Sequence, residues 1–255
     1  MDLPFSFEVR PSGAPSTLLA CGSFERTLEE AQRVGIEQAL RAFAELGKMG
    51  ALSGSSISPA VSTIETAACD LSGRIVELRL AACRIDPLSL SMLANIFHWV
   101  HLEVAPLVAV TIEWEQAAAW PNTAVREFPG QWLQPSFAFA EGDLDGGGDV
   151  DVGIEFLETR DVDANRAFVE NVLGTWLLAT HRGAFADDVF SPAESAVYLG
   201  PDVMTIEPDR VVLHVEDVRC DEAAWSALVN LLEGIHHRGI PLRRVELGPL
   251  DSDEA

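Results

Sequence analysis

"RIVELRLAACRIDPLSLSMLANIFHWVHLEVAPLVAVTIE", residues 74–113, and "RVVLHVEDVRCDEAAWSALVNLLEGIHHRGIPLRRVELG", residues 210–248, align without a gap. Asp86, Asn95 and Pro106 are spaced by 9 and 11 residues, and so are Asp221, Asn230 and Pro241. In the same register Leu93 meets Leu228, His101 meets His236, Leu107 meets Leu242 and Val110 meets Val245. Upstream, Ser58-Pro59-Ala60 recurs as Ser191-Pro192-Ala193. An ungapped run of this kind, with matching periodicity, reads as an internal duplication.

The local patterns agree in the two stretches. Val76, Leu78 and Leu80 alternate with Ile75, Glu77 and Arg79, as Val211, Leu213 and Val215 do with Val212, His214 and Glu216. A period of two predicts strands with one face toward a core. Each strand runs to an Asp suited to capping a helix, Asp86 or Asp221, with Pro87 at the favoured opening position in the first copy. Leu90, Leu93, Phe97 and Val100 form one helical stripe; Ala224, Leu228, Leu231 and Ile235 form the other. Pro106 and Pro241 end these helices and introduce the short strands "LVAVTIE" and "LRRVELG". An earlier helix is expected at residues 28–47 and again at roughly 162–180, where Val169, Leu173 and Trp176 share a face. Between the helices a hairpin is expected, around "DLSG" and around "EPDR".

Each half therefore reads strand, helix, strand, strand, helix, strand. That is the split βαβ pattern of ferredoxin-like domains, an α+β unit with an antiparallel sheet and both helices on one face. The expected fold is a tandem duplication of this unit over residues 1–120 and 133–255, joined by the Pro- and Gly-punctuated connector 117–132, "AAAWPNTAVREFPGQW". Each copy also opens on two apolar strands about a turn, "PFSFEVRPSGAPSTLLACG" and "PSFAFAEGDLDGGGDVDVGIEF". The acidic, glycine-rich segment 141–153, "EGDLDGGGDVDVG", is thus expected as a hairpin tip equivalent to "RPSGAPS", and not as a linker. The pattern hosts many unrelated activities, so it constrains shape and leaves chemistry open.

Composition narrows the classes. A chain of 255 residues is comfortable for two domains of about 120 each. Apolar residues at 48% and charged residues at 22% are ordinary globular values, which argues against global disorder. The charge is not ordinary: 17 basic against 40 acidic side chains leave −23. Such a surface repels nucleic-acid phosphates and anionic membranes, and it accelerates encounter with a basic protein partner. The start, "MDLPFSFEVRPSG", lacks the basic and apolar regions of a secretory signal. The most apolar window, "NIFHWVHLEVAPLVAVTI", is interrupted by His, Glu and Pro and reads as core. Cys21, Cys69, Cys83 and Cys220 form no C-x-x-C pair and are expected reduced and partly buried, with the cytoplasm as the default compartment.

No catalytic, cofactor-binding or metal-ligating residue is assigned. Asp143, Asp145, Asp149 and Asp151 are spaced invitingly for calcium, but Gly147 and Ile154 stand where a helix-loop-helix site needs a side-chain oxygen and a bidentate Glu. His101 and His236 lack the further ligands that zinc requires, and a place in the last helical turn, near the negative end of the dipole, explains them. "CGSF" and "LSGSSIS" lack the nucleophile elbow, "GKMGALSG" lacks phosphate-loop spacing, and turn chemistry accounts for them. Trp99, Trp176 and Trp225 are expected in the core, while Trp114, Trp120 and Trp132 near the connector are expected to seal the copies together.

Three functional readings remain. The first is an acidic binding protein that engages a basic protein, a bacterial immunity protein neutralising a cationic toxin being one instance. Its expected docking residues are Asp143, Asp145, Asp149, Asp151, Asp161, Asp163, Asp187 and Asp188, gathered on the second copy. The second is an assembly subunit that self-associates through an exposed sheet face or edge. The third is an enzyme or cofactor binder using the cleft between the copies. Tandem ferredoxin-like chains include haem proteins of the chlorite dismutase type and RNA-processing endonucleases, but no motif of the former can be placed and the charge argues against the latter.

Overall fold

The computed structural model describes residues 3–53, 64–85, 89–115, 117, 135–142, 149–186 and 191–248, the side chains of 196–203 excepted. The first half runs β1 (Ser6–Pro11), β2 (Thr17–Phe24), α1 (Glu30–Lys48), β3 (Thr66–Ser72), β4 (Ile75–Ala81), α2 (Ser89–Trp99) and β5 (Leu107–Trp114). A π-helical turn, Val100–Val104, extends α2. The second half runs β6 (Ala138–Glu141), β7 (Val150–Phe156), α3 (Val162–Phe168), α4 (Gly174–His181), β8 (Ala196–Ile206), β9 (Arg210–Arg219), α5 (Ala223–His236) and β10 (Leu242–Gly248). A π-helical turn, Val169–Leu173, makes α3 and α4 one continuous rod over the span expected to be a single helix. The expected connector 117–132 lies, Ala117 apart, outside the described residues, as do Asp86, Pro87, Trp120 and Trp132.

The two sheets have one topology. Their strand orders are β1-β5-β2-β4-β3 and β6-β10-β7-β9-β8. Without the first strand of each, both give the fourth-first-third-second order of a ferredoxin-like sheet, antiparallel throughout. The fold is therefore α+β, a ferredoxin-like unit present twice. Even local strain is repeated: Ala82 and Asp217, 135 residues apart, both sit at positive φ, 50° and 48°, just after or near the end of their strands.

The opening strands correct one expectation. β1 and β2 are not a hairpin, because β5 lies between them, parallel to β1 and antiparallel to β2. β6 and β7 likewise flank β10. A hairpin and a split pair both read as two apolar strands about a turn; the strand inserted between them comes from about 100 residues away and leaves no local mark. The turn must therefore cross a strand end. In the second half Gly142 crosses at Gly248, whose φ is 130° and where an added Cβ would stand 2.9 Å from Gly142 Cα. Only glycine fits that approach.

Packing follows from the helices. α2 and α5 are apolar on more than one stripe, and nearly all their residues are buried, Asn95 and Asn230 included. A helix buried all round needs cover on both sides. The halves meet through α1 and α4, and Asn95 and Asn230 reach the turns that follow those helices in the other half. The outer face of the first sheet remains open: Glu8, Arg10, Thr66, Ala68, Asp70, Arg79 and Glu113 are exposed on it. Trp99, Trp176 and Trp225 are buried as expected, and Trp114 is buried within its own half.

Candidate functional site

The seam between the halves is built twice from the same parts. After α1 the chain turns through Gly50-Ala51-Leu52-Ser53, and after α4 through Gly183-Ala184-Phe185-Ala186, each Gly at positive φ. The amide of Ala51 donates to Leu46 O and that of Ala184 to Ala179 O, so both turns close the preceding helix alike. Each turn then accepts an asparagine from the other half. Asn95 Nδ2 donates to Ala184 O and Ala186 O at 3.2 and 3.1 Å, and Asn230 Nδ2 donates to Ser53 O at 3.0 Å. The asparagines that reveal the repeat in sequence thus lock its copies together. Arg182 adds a further tie, its guanidinium 4.4 Å from the Trp99 ring centre and bonded to Gln38. Beside Asn95 the seam holds a cavity of about 20 Å³, room for one water and not for a cofactor.

The repeat histidines have a structural task. The Leu107 amide donates to His101 Nδ1 and the Leu242 amide donates to His236 Nδ1, both at 3.0 Å. Phe5 lies 5.5 Å from the His101 ring and Phe137 lies 5.7 Å from the His236 ring. Each histidine, in the last helical turn as expected, thus also caps the start of the closing strand through Nδ1. Among the described residues no group of three or more His, Cys, Asp or Glu is placed to hold a metal.

A serine, a glutamate and a histidine converge at the entrance to β6. Ser136 Oγ donates to Glu233 Oε1 at 2.5 Å and its amide to Oε2 at 2.9 Å, while His237 Nε2 lies 2.9 Å from Oε1 and 3.1 Å from Ser136 Oγ. A relay triad uses both ring nitrogens, one toward the nucleophile and one toward the acid. Here Nε2 faces both partners. Burial raises the Glu233 pKa, but the Ser136 and His237 hydrogen bonds outweigh it and hold the carboxyl below its usual range. A carboxylate so stabilised is a poor base, and the cluster anchors Ser136 to α5. The one acid within the apolar run "LVNLLEGI" was its only signal in sequence.

Charge collects at one end of the second sheet. Residues 135–255 carry 25 acidic and 8 basic side chains, a net of −17, against 14 and 8, a net of −6, over 1–117. Glu141 ends β6, Asp149 and Asp151 open β7, and Glu216 and Asp217 close β9. The bend at Asp217 breaks the alternation, so both Glu216 and Asp217 are accessible. Asp151 pairs across the sheet with His214, whose Nδ1 donates to Asp151 Oδ1 at 2.7 Å. His214 Nε2 lies 3.9 Å from Asp149 Oδ2, and Asp149 Oδ1 accepts from the Asp217 amide at 3.3 Å. The Asp151 hydrogen bond, with Asp149 and Glu216 adding to it against partial burial, raises the His214 pKa.

The expected docking residues divide. Asp149 and Asp151 belong to this acidic end. Asp143, Asp145, Asp187 and Asp188 lie outside the described residues. Asp161 and Asp163 lie beyond the opposite end of β7, about 20 Å away along the strand. Asp161 is the N-cap of α3, its carboxylate accepting from the Asp163 amide at 2.8 Å, so capping accounts for it. The four described aspartates therefore divide between the two ends of β7, Asp149 and Asp151 at one and Asp161 and Asp163 beyond the other.

No protein-family model matches the chain, and no curated protein is significantly similar to it. Among solved structures, it aligns with a DyP-type peroxidase from Cellulomonas bogoriensis at 11% identity and TM-score 0.22, covering 96% of this chain and 93% of that one. It also aligns with chlorite dismutase from Candidatus Nitrospira defluvii at 12% identity and TM-score 0.17, covering 92% and 91%. At these scores neither likeness bears on ligand or activity. Among the described residues, no helix is long and apolar enough to cross a membrane.

Proposed function

We propose that the chain is a binding protein for a basic protein partner, docking through the acidic end of its second sheet. The observation that supports it is the gathering of Glu141, Asp149, Asp151, Glu216 and Asp217 at that end, in the half that carries −17. An excess of acid of this kind, with Arg219 and His214 as the cations within it, steers a cationic partner and raises its on-rate. A toxin-neutralising immunity protein is one instance of the class. Self-assembly is the second reading, supported by the open outer face of the first sheet.

Affinity capture from the native host tests the proposal with two variants of equal charge. D149N/D151N/D217N neutralises the acidic end, and E65Q/D70N/E113Q removes three acids from the first half. A basic protein retained by wild type and by the second variant, and lost by the first, is the expected result. Equal retention by both variants would overturn the proposed surface.

A further inference from the structure

We infer that the chain forms a twofold dimer through the outer edge of β3, which pairs antiparallel with β3 of a second copy and joins the two first-half sheets into one. β3 stands last in its sheet, and among the described residues no strand pairs with its outer side. Open sheet edges are normally blunted by shortness, proline, charge or a bulge. The other three edges show such devices. β1 carries Glu8, Arg10 and Pro11, β6 has four residues, and the pairing of β8 is broken by register shifts. β3 instead pairs with β4 without a bulge over seven residues and carries one charge, Asp70. Beside it a groove of about 440 Å³ opens toward α1. Ala67 and Cys69 face the helix side and Ala68 the other, yet all three line the groove, so the strand edge itself is its wall.

Strand and helix are both self-complementary about Cys69. An antiparallel pair centred there sets Thr66 opposite Ser72, Ala67 opposite Leu71 and Ala68 opposite Asp70, so every residue of β3 has a partner. On the helix side Ala67 leaves room for Leu71 of the second copy. A centre one residue further on would set Asp70 opposite its own copy, and directly opposed like charges disfavour it. The same axis brings the two α1 helices together antiparallel. Glu37 and Arg41 are the α1 charges that act on Cys69, and they are bonded to each other at 2.5 Å. Twofold symmetry about Cys69 therefore sets Glu37 of one copy against Arg41 of the other, twice over. Glu45 and Lys48, paired at 2.6 Å, continue the stripe. Two acids and two bases leave it neutral on a chain of −23, so two such acidic chains can approach there.

Sedimentation of the full chain over a range of concentration tests this, with hydrogen exchange of the β3 amides read alongside. Wild type should reach twice the monomer mass, with the β3 amides gaining protection as it does. R41E places acid against acid and should weaken the dimer about tenfold or more, since two symmetry-related contacts, each worth a few-fold, are lost and reversed. E37R places base against base and should do the same. E37R/R41E exchanges the signs and should restore both the mass and the β3 protection. R41E mixed with E37R should form a heterodimer tighter than either variant alone. The side chains of Arg41 and Glu37 are 69% and 34% exposed on the helix, so these exchanges leave the fold in place. A wild type that stays monomeric, a dimer that R41E and E37R leave intact, or one that E37R/R41E fails to restore would overturn the edge dimer. None of these variants alters the acidic end of the second sheet, so the docking surface is tested apart from this contact.

Discussion

Replacing Asn95 by alanine or aspartate interrogates the seam directly. Asn95 is 4% exposed and its Nδ2 supplies two hydrogen bonds to carbonyls of the other half. Alanine leaves those buried acceptors without this donor, a loss of about 1–3 kcal/mol for each group fully deprived. Two features reduce the total. The bonds are long for their type, and Asn95 Oδ1 has no partner, so removing it recovers part of its own desolvation. The expected cost of N95A is therefore about 2 kcal/mol. Aspartate is nearly isosteric but turns carboxylate oxygen toward carbonyl oxygen, and a buried, unpaired charge raises the cost above about 3 kcal/mol. N230A, losing one bond, should cost about 1–2 kcal/mol. Urea unfolding followed by far-ultraviolet circular dichroism and by tryptophan fluorescence reads all three. Because the core is continuous across the halves, both probes should move together to a lower midpoint with the slope unchanged. N95D as stable as wild type, or a loss confined to one half's transition, would refute the reciprocal seam.

Three further outcomes are expected. H101A and H236A each remove the acceptor of a strand-initiating amide and should each cost about 1–2 kcal/mol by urea unfolding; a difference above about 1 kcal/mol between them contradicts their equivalence. G47A would place a Cβ 2.3 Å from Ile64 Cδ1, so it should destabilise by about 1–3 kcal/mol and be partly rescued by I64V; no loss would mean that this contact yields freely. The depressed Glu233 carboxyl contributes stability present above the ordinary carboxylate pKa and lost as pH falls through its folded value, whereas the raised His214 contributes stability present below the ordinary imidazole pKa and lost as pH rises through its folded value. The Tm difference between wild type and E233Q should accordingly shrink toward acid, and that between wild type and H214Q should shrink toward alkali; the reverse trends would contradict these contacts.

The duplication was legible because its spacing is carried by residues with fixed geometric tasks. Asn95 and Asn230 cross the seam, His101 and His236 cap a strand, and Pro106 and Pro241 precede one, so none can drift in register. Strand pairing was less legible. Whether β1 meets β2 or β5 depends on partners far along the chain, and the alternation within β1 is the same in either case. The burial of α2 and α5 was less legible: one apolar stripe was read on each, whereas nearly all of their residues are buried. The acidic surface was visible as a count and not as a shape. Strand direction separates Asp151 from Asp161, and a cap accounts for Asp161, while the strand period placed His214 on an outward face, solvent-exposed or a general base, without showing Asp151 opposite it, because only cross-strand register brings the two together.

The docking claim stands or falls most directly on association kinetics. The captured basic partner would be mixed with wild type, D149N/D151N/D217N and E65Q/D70N/E113Q over a range of ionic strength. Both variants carry the same net charge, so a purely global field would slow them equally. Steering by the acidic end of the second sheet predicts that D149N/D151N/D217N associates more slowly and with a flatter salt dependence, while E65Q/D70N/E113Q stays close to wild type. Equal rates and equal salt slopes for the two variants would contradict it.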